Sequence, residues 1–143
     1  MLFDEIGFGL TAFSSLRDRF VLNTQYFDEY YASIEARRLP LNRGLVRSKE
    51  EQKRWSIILP LKNSFVNKGI FKKRTGESVE NFCKEKMDRL KTYGFVMEDE
   101  MKIQTTKLGA FFADEVVHQF HHPAYIPFAQ NQYEDGVLNP YLP

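Results

Sequence analysis

Apolar residues in the middle of this chain recur three and four positions apart, switch to short runs, and then return to helical spacing. Val79, Phe82, Cys83, Met87 and Leu90 fall on one helical face, and Ser78 before them is a good N-cap. Gly94 stands where a left-handed residue ends a helix, which lets Phe95 fold back onto Leu90. Phe95–Glu98 and Met101–Gln104 then read as two short strands with Asp99-Glu100 at the turn. Thr106 caps a second amphipathic helix bearing Leu108, Phe111, Phe112, Val116 and Phe120.

Upstream, the pattern predicts a helix capped by Asn23 or Thr24 and running to about Arg38, with Phe27, Tyr30, Tyr31 and Ile34 as its stripe. Leu39-Pro40 stops it, and Leu41–Arg47 reads as a connector. Ser48-Lys49-Glu50-Glu51 is a capping box for a helix presenting Trp55, Ile58 and Leu59, which Pro60 should kink or end. A short helix around Lys68–Arg74, anchored by Ile70 and Phe71, ends at Gly76. Before residue 23 helix signals are absent; Phe3–Leu10 reads as a strand followed by a Ser-rich loop. The tail from His121 to Pro143 is rich in Tyr, Phe and Pro and should pack over a surface in extended form. Three helices, a two-stranded wing and a further helix over 48–121 make a winged-helix-like domain. The predicted fold class is therefore α+β, mainly α with a small β hairpin. Its expected core is Trp55, Ile58, Phe71, Phe82, Leu90, Phe95, Ile103, Leu108 and Phe112.

Composition permits such a core: 43% of the 143 residues are hydrophobic and 13 are Phe. The single cysteine, Cys83, excludes an internal disulfide, a redox pair and a multi-cysteine metal cage. No apolar run approaches the ~18 residues that span a membrane, and no signal-peptide pattern is seen, so a cytoplasmic location is expected. Charge is uneven. Residues 1–46 hold 5 Lys/Arg and 6 Asp/Glu, residues 47–94 hold 13 and 6, and residues 95–143 hold 2 and 7. The basic middle is where nucleic acid would bind, but Glu77, Glu80, Glu85 and Asp88 dilute it.

Three constellations invite chemistry. Gly7-Phe8-Gly9-Leu10-Thr11-Ala12 has the form GxGxxA, yet no apolar helix or βαβ unit follows, so glycines allowing close approach of a strand are the better reading. Asp114, His118 and His121 or His122 have spacings that can ligate zinc, without an HExxH motif; a structural or solvated role is preferred. Ser14-Ser15 has no histidine or lysine nearby in sequence, so nucleophilic catalysis is unsupported.

Taken together, GFGLTAFSS (7–15), Asn23, EYY (29–31), LPLNRG (39–44), SKEEQKRWSIILPLK (48–62) and the 89–116 segment resemble the C-terminal part of the oxygen-independent coproporphyrinogen III oxidase family. The resemblance implies a radical-SAM parent with a partial barrel followed by a mainly helical C-terminal domain. It divides the chain into a remnant barrel edge (1–22), a connecting helix and linker (23–47), the winged-helix-like domain (48–121) and the aromatic, Pro-rich tail (122–143). It also implies that the parent uses a [4Fe–4S] cluster and S-adenosylmethionine, although the CxxxCxxC motif is absent here. Gly7, Gly9, Ala12, Phe13 and Ser14 would border the S-adenosylmethionine site, and Arg43 would meet a porphyrinogen carboxylate.

The expected function is an accessory domain that caps the barrel of a porphyrin- or haem-forming oxidoreductase and is not catalytic by itself. Its expected partners are the N-terminal barrel, the porphyrinogen substrate in the parent, and a second copy of the chain paired through the N-terminal arm. Two alternatives stay open: a DNA-binding winged helix and a protein-interaction module. The first would need Lys84, Arg89 and Lys91 on an acid-free face, and Glu85 and Asp88 lie among them.

Overall fold

The computed structural model describes residues 4–63 and 65–143; Phe3 of the expected first strand lies outside them. The order of elements is β1 (Phe13–Ser15), β2 (Arg19–Asn23), α1 (Phe27–Glu35), β3 (Leu41–Val46), α2 (Lys49–Asn63) and β4 (Phe65–Asn67). There follow α3 (Lys68–Thr75), α4 (Val79–Thr92), β5 (Val96–Glu98), β6 (Lys102–Thr105), α5 (Lys107–Phe111) and α6 (Ala113–His118), then two single-turn 3₁₀ helices. The result is an α+β mixture with two small antiparallel sheets, β1-β2-β3 and β4-β6-β5. Contacts divide the chain into two units, 4–52 and 53–143 as described.

In unit 53–143 the local signals work as their chemistry requires. The Ser78 hydroxyl accepts from Asn81 N–H at 3.2 Å. At the other end of α4, Phe95 N–H donates to Leu90 O (2.9 Å) and Gly94 N–H to Lys91 O (3.0 Å), with Gly94 at φ 74°. This Schellman turn buries both Leu90 and Phe95. Asp99 Oδ1 accepts from Met101 N–H and Lys102 N–H, each at 2.8 Å, and so shapes the hairpin turn. The core gathers Ile57, Ile58, Leu61, Val66, Phe71, Val79, Met87, Leu90, Phe95, Val96, Ile103, Val116, Val117 and Phe120, with Trp55, Phe82 and Phe112 packed against it.

Four expectations in this unit need correction. Pro60 does not end α2, which runs to Asn63; burial of Ile57, Ile58, Pro60 and Leu61 outweighs the missing N–H. Phe65–Asn67 is an unforeseen strand that pairs with β6, Val66 opposite Ile103. The helix after Thr106 breaks at Phe112 (φ −105°, ψ 37°) into α5 and α6. That break leaves Leu108 exposed, and Phe111 with it, while Phe112 turns inward against Phe95. Gly109 is why α5 reaches the hairpin at all: a Cβ there would lie 1.8 Å from Phe95 O. Phe71, not Ile70, anchors α3.

Unit 4–52 is built differently. β2 pairs with β1 (Ser14 opposite Val21) and with β3 (Gly44 opposite Val21), and a bulge lies between Leu22 and Asn23. The expected strand over 3–10 is reduced to one bridge, Glu5 to Ser15, and the strand lies instead at Phe13–Ser15. The expected connector 41–47 contains the strand β3, since Asn, Arg and Gly find hydrogen bonds across the sheet that no local pattern announces. α1 is shorter than expected and begins after Tyr26, not Asn23 or Thr24; Asn23 is in β2, and the Thr24 hydroxyl donates to Glu29 Oε2 at 2.7 Å. No residue of α1 is buried, and Phe27, Tyr31, Ile34, Leu41, Leu45 and Val46 are all exposed.

Candidate functional site

The arm from Gly7 to Ser15 is folded around the end of β2. Gly7 N–H donates to the Ser14 hydroxyl at 3.1 Å. A Cβ on Gly7 would meet Phe13 O at 2.2 Å, so glycine is required by close approach of the backbone. Asn23 closes the loop: its Nδ2 donates to Gly9 O (2.8 Å) and its N–H to Ala12 O (2.8 Å). Thr11 N–H reaches Thr24 O at 3.0 Å. Of the five arm positions, Gly9 and Ala12 are thus held by the buried Asn23, Gly7 and Ser14 are held to each other, and Phe13 rests on Phe20. Phe13 stacks on Phe20 at 5.5 Å and keeps half its surface in solvent. Arg43 is exposed in β3, opposite Leu22. It is not brought to the loop by any hydrogen bond or ion pair among the described residues.

The histidine constellation does not assemble a ligand set. Asp114 is engaged by Lys62 at 2.6 Å. His122 Nδ1 accepts from Ala124 N–H at 3.2 Å, while His118 and His121 meet edge to face at 5.3 Å. Burial, with the nearby charges of His118, Arg54 and Lys62, pulls the His121 pKa below its usual range. Among the described residues no three His, Cys, Asp or Glu side chains are grouped to hold a metal ion. Cys83 is pushed up to about 12, chiefly by burial, and its Sγ donates to Val79 O. Such a thiol is neither a ready nucleophile nor a ready ligand.

Sequence reasoning also placed Lys84, Arg89 and Lys91 on α4 as the test of nucleic-acid binding. Lys84 pairs with Asp88 (3.0 Å), and Lys91 pairs with Asp88 (2.7 Å) and Glu98 (2.6 Å). Lys68 pairs with Glu98 at 2.5 Å and with Glu80 at 3.1 Å. Arg89 faces the tail, donating to Val137 O (3.2 Å), to Pro143 O and to Gln119 Oε1 (3.0 Å). The three α4 cations that the nucleic-acid reading needs are therefore not a bare cationic face. Lys86 and Gln119 were overlooked. Gln119 is the one amide side chain in the run VVHQFHH, and it is fully buried.

No helix among the described residues is long and apolar enough to cross a membrane. No protein-family model matches this chain, and no curated protein matches it in sequence. In structure the chain is similar to a solved protein described as "Coproporphyrinogen III oxidase (HemN) from Escherichia coli is a Radical SAM enzyme", with a TM-score of 0.59 and 21% identity. The likeness covers 82% of this chain and spans 28% of that enzyme's length, so the fold of this chain is that of a part of a coproporphyrinogen III oxidase.

Proposed function

We propose that this chain is the C-terminal accessory domain of a radical-SAM, coproporphyrinogen III oxidase-like protein, acting in porphyrin and haem formation in the cytoplasm. The observation that carries the reading is the state of unit 4–52. Its sheet and helix leave Phe27, Tyr31, Leu45 and Val46 in solvent, as expected of an edge built to be covered by more of the same barrel. A likeness to 28% of a radical-SAM enzyme's chain points the same way.

Unit 53–143 supports the winged-helix reading. Three helices precede a hairpin, and the short strand between the first two completes the sheet in the order β4-β6-β5. In the assembled protein this unit would cap the barrel mouth and exclude water from a reactive intermediate. Gly7, Gly9, Ala12, Phe13 and Ser14 would border S-adenosylmethionine there, with Gly9 and Ala12 bonded to Asn23 and Gly7 to Ser14. Arg43, exposed on its strand, would meet a propionate of the porphyrinogen.

The residues present do not fit a [4Fe–4S] cluster. The family's cluster takes three thiolates, and this chain has one cysteine, buried with its thiol pushed up to about 12. The cluster and the S-adenosylmethionine chemistry would belong to the barrel, not to this chain.

The test is assembly. A barrel polypeptide of the family bearing CxxxCxxC, made separately, should bind this chain and protect the backbone around Phe27 and Leu45 from hydrogen exchange. Coproporphyrinogen decarboxylation should be higher in the mixture than with the barrel alone. No complex at micromolar concentrations, with the arm still ordered, would overturn the reading.

A further inference from the structure

Three elements of unit 53–143 leave a space between them. Helix α2 continues through Pro60, which shares a face with Ser56 one turn earlier. Strand β4 follows, and Asn67 at its end caps α3 by accepting from Ile70 N–H at 2.9 Å. α3 then turns Phe71 into the core and leaves Ile70 37% exposed. The result is an open cavity of about 200 Å³ lined by both helices and the strand.

Its walls are mostly apolar, supplied by Pro60, Phe65, Val66, Ile70 and Phe71. A cavity of about 150 Å³ with such a lining holds benzene, so this one has room for a ring bearing a short substituent. Two of the wall residues are phenylalanines, whose rings favour an aromatic guest.

The polar edge has one sign. Arg74, two turns along α3 from Asn67 and so on the same face, is the one ionisable residue among the described residues lining the cavity. Lys102 Nζ adds a second positive charge, 5.4 Å from the centroid of the Phe65 ring. The acids of the adjoining hairpin are engaged elsewhere. Glu98 pairs with Lys68 and Lys91, and Asp99 accepts from two backbone N–H groups. Asn67 keeps a neutral donor at the edge: the cap takes its Oδ1, and its Nδ2 has no partner among the described residues.

We infer that this cavity is a binding site for a small monocarboxylate bearing one aromatic ring, with the ring among Pro60, Phe65 and Ile70 and the carboxylate at Arg74. A guanidinium matches a carboxylate with two parallel N–H bonds, and charge-assisted bonds of this kind are the strong ones. The apolar walls supply the rest by taking the ring out of water. The site lies wholly within unit 53–143 and stands independently of the barrel reading.

The experiment titrates the full chain with phenylacetate at constant pH and ionic strength and follows amide and methyl chemical shifts. Phenylacetamide keeps the ring without the charge, and acetate keeps the charge without the ring. The expected result is saturable shifts at Val66, Ile70 and Phe71, with half-saturation at or below about 1 mM. Phenylacetamide and acetate should each bind about tenfold more weakly or worse. Arg74→Gln should raise the half-saturation for phenylacetate about tenfold and leave that for phenylacetamide unchanged. Asn67→Asp retains an oxygen for the α3 cap but puts a negative charge at the edge, so it should weaken phenylacetate too. It decides the matter if Arg74→Gln is unfolded. No saturation below about 10 mM, equal binding of phenylacetate and either control, or unchanged phenylacetate binding in the folded variants would overturn the inference.

Discussion

The guanidinium of Arg89 on α4 donates to Gln119 Oε1 at 3.0 Å, and the same glutamine hands the interaction on. Its Nε2 donates to Glu115 O at 3.0 Å and to Leu138 O at 2.8 Å. One fully buried amide thus joins α4, α6 and the tail.

Removing that amide should loosen the tail and the unit together. Gln119→Ala leaves Leu138 O and one Arg89 donor without their partner, at a cost of about 1–3 kcal/mol. Urea unfolding should show the lower midpoint. Hydrogen exchange should show lost protection at Tyr141 and Leu142, with the hairpin amides of 96–105 unchanged in the native state.

Two glycine substitutions should separate strain from collision. Gly94→Ala meets no atom within 4 Å but must hold φ 74°, which costs about 1–2 kcal/mol. Gly109→Ala would place its methyl 1.8 Å from Phe95 O, so α5 or the hairpin has to move. Thermal unfolding should rank Gly109→Ala as the more damaging, with altered chemical shifts along β5 in that variant alone.

Stability should depend on pH in a way set by α4. Lys86 titrates at about 8 in the folded chain against an ordinary 10.5, so between these values the unfolded chain binds more protons and stability rises with pH. Cys83 has the opposite sign. Its thiol is raised from 9.0 to about 12, so from pH 9 upward the folded chain retains a proton that the unfolded chain releases. Chemical unfolding should therefore show stability climbing between pH 8 and 9, by up to about 1 kcal/mol, levelling off to about pH 10.5 and falling above it. Lys86→Met should abolish the climb. Cys83→Ala should let it continue past pH 9.

Anaerobic reconstitution with iron and sulfide should leave this chain without the visible absorbance of a cluster, and S-adenosylmethionine should remain uncleaved. One buried thiol cannot replace three thiolates. Cluster absorbance that survives Cys83→Ala would show that other residues bind iron.

Much of unit 53–143 was determined by the sequence itself, because its signals are local. Ser78, Gly94, Asp99 and Thr106 each act within a few residues, and each makes the hydrogen bond its type suggests, as does the capping box at Ser48 and Glu51 in the other unit. Periodicity likewise named Ile58, Phe71, Leu90, Phe95 and Ile103 as core. The GxGxxA arm was legible as a place of close backbone approach, and Gly7 is such a place. What the tertiary structure alone decided depends on partners distant in sequence. β3 is a strand only because β2 offers it hydrogen bonds, and β4 only because β6 lies beside it. Phe112 leaves the helical path to meet Phe95, which costs Leu108 its place in the core. Asn23 read as a cap and became the bolt of the arm. Lys86 was not singled out and Arg89 was weighed only for a nucleic-acid face, yet both donate to the tail 54 and 48 residues away, because no spacing along α4 records which oxygens the chain will bring back to it.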